Sequence, residues 1–100
     1  MIVVAGTIRV DPAQRSAAEA AFERMREATL REPGCLAYDA YLDRSDPGTV
    51  LIFERWQDDG ALQAHFATAH MATFRTALAA VGVRGAEVWK YDVRDASRLM

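Results

Sequence analysis

Between Glu54 and His70 the sequence collects a carboxylate, an indole and two imidazoles beside apolar residues: Glu54-Arg55-Trp56, then Leu62, His65 and Phe66, then His70. A half-buried imidazole titrates near neutral pH and can act as acid, base or hydrogen-bond donor. His65 lies at the edge of the Leu62/Phe66 ridge, where a catalytic role competes with a plainer one, a boundary histidine bonded to a backbone carbonyl. His70, four residues before Phe74, leans towards the same apolar side or stands in water at a helix start. Glu54 follows the four apolar residues Val50 to Phe53. Facing a helix layer, it could hydrogen-bond His65 and fix its tautomer; facing outwards, it would pair with an arginine such as Arg55 or Arg9. Tyr38, Trp56, Phe66, Phe74 and Trp89 could line a flat aromatic pocket, or simply fill core and interface.

Other chemistries find little support. His65 and His70 are five apart, which on one helix puts them on different faces; helical zinc pairs use a spacing of four. A break near Ala67 could bring them together, but only Glu54 is an evident third ligand. No metal is therefore expected. The sequence has no Gly-x-Ser-x-Gly elbow, no Gly-rich phosphate loop and no dinucleotide fingerprint. The single cysteine, Cys35, excludes an internal disulfide and a Cys-based zinc cluster.

The elements that must position these groups can be read in order. Ile2 to Val10 is β-branched and apolar on both alternating faces, Ile2, Val4, Ile8 and Val10 against Val3 and Ala5, which predicts a strand covered on both sides. Asp11-Pro12 starts a helix running to about Arg31, with Ala18, Phe22, Met25 and Thr29 inward and the charged residues in water. Glu32-Pro33-Gly34 ends it. Cys35 to Asp43 forms a second strand, with Leu36, Tyr38, Ala40 and Leu42 on one face. The turn formers Ser45-Asp46-Pro47-Gly48 lead into a third strand, Thr49 to Gln57. Asp58 caps a short helix from Asp59 to about Ala67, and Thr68 caps another that runs to Val81 and stops at Gly82. Gly85 to Val93 is the last strand, and residues 94–100 form a tail.

The order β-α-β-β-α-β implies an α+β, ferredoxin-like domain over residues 1–93: a four-stranded antiparallel sheet with its helices on one face. Strands apolar on both faces, with helices to cover only one, predict a homodimer in which two sheets meet. A chain of 100 residues with a net charge of -2 gives no argument for nucleic acid or an anionic membrane. With no signal-peptide pattern and no run long enough to span a bilayer, the expected location is cytoplasmic.

Four segments carry a resemblance: Glu32-Pro33-Gly34-Cys35-Leu36-Ala37-Tyr38, Glu54-Arg55-Trp56, Ala61-Leu62-Gln63-Ala64-His65 and Thr68-Ala69-His70-Met71. With this order and spacing, residues 2–93 closely resemble the antibiotic biosynthesis monooxygenase family of the dimeric α+β barrel superfamily. The resemblance implies a homodimer and a pocket in each subunit between sheet and helices. It also implies oxidation of quinols or polycyclic, polyketide-like aromatics by dioxygen without flavin or metal. On these residues His65 would be the base or donor and Glu54 would orient it, with Tyr38, Trp56, Phe66, His70, Phe74 and Trp89 around the substrate. The chain departs from the pattern in having no asparagine, where similar oxygenases use one on the first strand; here that neighbourhood reads Ala5-Gly6-Thr7. Haem-degrading relatives use a Trp and an axial His on the helices, near the places held here by His65 and Arg75, so no haem is expected. Two other readings stay open: an oxygen-independent isomerase of a small carbonyl metabolite, and a non-catalytic dimeric binder of small aromatics.

Overall fold

A computed structural model describes all 100 residues. Its elements are β1 (Ile2–Val10), α1 (Arg15–Thr29), β2 (Cys35–Leu42), β3 (Thr49–Trp56), α2 (Asp59–Phe66), α3 (Ala69–Val81) and β4 (Val83–Asp92). The strands form one antiparallel sheet in the order β2-β3-β1-β4, with the helices on one face. This is the ferredoxin-like arrangement expected from the sequence. Asp11 caps a single 3-10 turn over Pro12–Gln14 before α1 begins, so the helix starts three residues later than Pro12 suggests. Asp58 and Thr68 cap α2 and α3 by accepting from the backbone N–H of Ala61 and Met71.

Alternation decides what faces the helices. Ile2, Val4 and Val10 of β1 and Val50, Ile52, Glu54 and Trp56 of β3 are buried. They meet Ala18, Ala21, Phe22 and Met25 of α1 and Leu62 and Phe74 of α2 and α3. Phe22 and Phe74 lock α1 to α3 edge to face, ring centres 5.1 Å apart. Leu36 departs from the expected alternation. The β2–β3 register shifts between Cys35 and Ala37, and Leu36 is half exposed while Tyr38 and Ala40 turn inward. A bulge adds one residue and turns the side chain at that point away from the core.

Two features shape the site. Gly34 adopts φ +83° in the turn after α1, a conformation costly for any residue with a Cβ. The turn carries Glu32 back towards α2; Gly34 O accepts from Gln57 N at 2.8 Å, and a Cβ on Gly34 would meet that of Ala61 at 2.6 Å. On the far side, every residue of β4 except Gly85 is exposed. The helices stop short of this edge strand and leave a groove beside it.

Candidate functional site

The groove opens into a cavity of about 390 Å³ between the sheet and helices α2 and α3. Val4, Ile8 and Ile52 form its floor, and Leu62, Phe66, Met71 and Phe74 its roof. Its polar lining is sparse: Tyr38, Glu54, Gln63 and Lys90, with Trp89 at the rim. An apolar hollow with a few convergent polar groups is the usual form of a small-molecule site.

Sheet register places three of those polar groups in a single row. Glu54 pairs with Tyr38 on one side and Val4 on the other, and Val4 pairs in turn with Lys90. Glu54 is only 7% exposed. Its Oε1 accepts from Trp56 Nε1 at 2.8 Å. Burial, only partly offset by the Trp56 bond and helped a little by the charge of Glu32, pushes the carboxyl up to about 7. Glu54 can therefore exchange a proton near neutral pH inside an apolar cavity. Burial, with the neighbouring Glu54 charge, also raises the Tyr38 phenol, so Tyr38 stays protonated and can donate a hydrogen bond.

His65 stands elsewhere. It is fully buried and does not line the cavity. Its Nδ1 lies 2.7 Å from Glu32 Oε2, and His70 Nε2 lies 2.8 Å from that same oxygen. A carboxylate oxygen accepts, so His65 Nδ1 and His70 Nε2 both donate to it. Its Nε2 has no partner. The ring packs on Trp56 at 4.7 Å and on Tyr38 and Phe66 at 5.8 Å. His65 thus backs the wall of the cavity, and Glu32 ties the turn after α1 to both α2 and α3.

The structure accordingly divides the expected site residues. Glu54, Tyr38, Phe66, Phe74 and Trp89 gather around the cavity, while His65, His70 and Trp56 lie outside it. Glu54 does face the helix layer, but it holds Trp56 where the sequence suggested His65. The break between α2 and α3 does bring His65 and His70 together, around Glu32, 33 and 38 residues away along the chain. Lys90 and Gln63 were not expected in the site. Lys90, the chain's only lysine, sits where a central core strand would carry an apolar residue, and its place two residues from Val88 was the available signal.

Glu32, His65 and His70 are the one trio of donors near enough to suggest an ion, with all three atoms within 4.8 Å of one another. Two of these separations are hydrogen bonds. Ligands about 2.1 Å from a tetrahedral zinc stand roughly 3.4 Å apart, so an ion would have to push the carboxylate aside. The geometry is that of a carboxylate shared by two imidazole donors.

The chain is similar to several known proteins. A protein of Synechocystis, sll1783, of uncharacterized function, is 32% identical over 98 residues, covering 98% of this chain and 67% of that protein. The Escherichia coli protein named "Probable quinol monooxygenase YgiN" is 28% identical over 88 residues, covering 78% of this chain and 85% of its own. The solved structure of Rv0793 from Mycobacterium tuberculosis superposes with a TM-score of 0.86 at 28% identity, over 97% of this chain and 98% of that one. Residues 1–77 match the family model described as antibiotic biosynthesis monooxygenase. With this family match and the agreement in fold, the chain belongs to the antibiotic biosynthesis monooxygenase family.

Proposed function

We propose that the chain is a cofactor-independent monooxygenase of a quinol or polycyclic aromatic phenol, with Glu54 as its base. The observation that carries this is a buried carboxyl, raised to about 7, on the floor of an apolar cavity. The name of the YgiN relative supports the substrate class. Ionised Glu54 takes the phenolic proton of the bound substrate. The resulting phenolate is electron-rich at a ring carbon, which dioxygen attacks. Tyr38, kept protonated, donates to the developing oxyanion. The balance closes without a separate reductant: a naphthalene-1,4-diol and O₂ give a hydroxynaphthoquinone and water, one oxygen atom in each product.

The functional unit in this proposal is a homodimer formed through the outer sheet face. Tyr41, Leu51, Trp89 and Tyr91 are all half exposed. Register puts them on that face, beside Val3, Ala5 and Phe53. Light scattering should give twice the 11.1 kDa chain mass.

The reaction is tested by supplying ¹⁸O₂ with naphthalene-1,4-diol or an anthrone. One labelled atom in the product, at a rate above a protein-free blank and lost in Glu54→Gln, is the expected result. No rate above the blank across the panel would overturn the oxygenase assignment.

A further inference from the structure

We infer that Lys90 receives an anionic group of the substrate, so that the cavity selects a flat aromatic with a hydroxyl at one end and a carboxylate or second oxyanion at the other. The inference rests on the placement of Glu54 as base and adds the second end of the substrate. Lys90 is the only cation lining the cavity. It and Glu54 flank Val4 in one cross-strand row. Two paired-strand steps put their Cα atoms about 10 Å apart. Between them lies apolar floor, which favours a fused ring system laid across the strands.

Charge then sets the direction. Glu54 must accept a proton, and once ionised it repels a second anion. A carboxylate therefore settles at the opposite end of the row. There Lys90 Nζ is held by Asp59 Oδ1 at 3.0 Å, from the first residue of α2. Both side chains are 51% exposed. Ion pairs of that exposure are weak and screened by salt, so a ligand carboxylate entering the lower-dielectric cavity can displace Asp59. Asp59 thus holds the ammonium beside the cavity and competes with the ligand for it.

The test is anaerobic binding, read by tryptophan fluorescence, of 1,4-dihydroxy-2-naphthoate against naphthalene-1,4-diol, which differ by a single carboxylate. The wild-type protein should bind the acid about tenfold more tightly. Lys90→Gln should erase that preference, weakening the acid far more than the diol, Lys90→Arg should keep it, and Asp59→Asn should tighten the acid alone. Both positions are half exposed, so these variants should fold, which circular dichroism checks. Equal affinities in the wild type, or a preference that survives Lys90→Gln, would overturn the inference. Because oxygen is absent, the outcome does not depend on turnover: a Lys90-dependent preference without oxygenase activity would overturn the oxygenase assignment alone.

Discussion

Replacing Glu54 by Gln should abolish activity and stabilise the fold. The carboxyl's ordinary value is 4.5, and in the folded protein it is pushed up to about 7, first by burial. Between those values the folded chain holds a proton that the unfolded chain has released. The folded state binds more protons, so its stability falls as pH rises through this window and levels off above it. Each pH unit is worth about 1.4 kcal/mol, so keeping an ionised carboxylate buried at pH 8 costs roughly 3 kcal/mol. Gln carries no charge, and its amide oxygen can still accept from Trp56. Glu54→Gln should therefore melt on the order of 10 °C above wild type at pH 8 and within a few degrees of it at pH 4. Thermal unfolding at matched protein concentration across pH 4–8 measures this. A melting difference independent of pH, or a Gln protein less stable at pH 8, would mean that Glu54 is not a buried carboxyl with a raised value. Loss of the base should lower turnover by at least about 100-fold.

Trp56→Phe removes the bond that partly restrains the Glu54 carboxyl, so the acid limb of the rate profile should move above pH 7. Glu32→Gln should cost about 1–3 kcal/mol in urea unfolding through its two imidazole contacts, and losing the charge that helps raise Glu54 should move that limb slightly towards lower pH. His65→Ala should cost about 2–4 kcal/mol as a cavity-forming loss at a fully buried site, with the acid limb unmoved. A limb that shifts in His65→Ala would put His65 in the proton transfer. Gly34→Ala should destabilise by more than about 1 kcal/mol, from its positive φ and the crowding of Ala61.

The fold was legible because local signals agreed with one another. Strand runs broken by Pro33-Gly34 and Pro47-Gly48, and helices capped by Asp58 and Thr68, leave few topologies. The site was legible as a neighbourhood and not as a set of partners. β3 begins apolar on both faces, so alternation could not say which way Glu54 points. Glu32 meets His65 and His70 across more than 30 residues, through a turn whose direction depends on a single glycine. Lys90 reads as an ordinary surface residue until β4 proves to be an edge strand that the helices leave uncovered. The bulge at Leu36 is likewise set by pairing with β3, which no local pattern encodes.

Dioxygen consumption with naphthalene-1,4-diol, followed from pH 5.5 to 8.5 for wild type, Glu54→Gln and a protein-free blank, tests the central claim most directly. The blank-corrected wild-type rate should rise with pH to half its maximum near 7, with no such rate for Glu54→Gln. A Glu54→Gln rate equal to that of the wild type would contradict it.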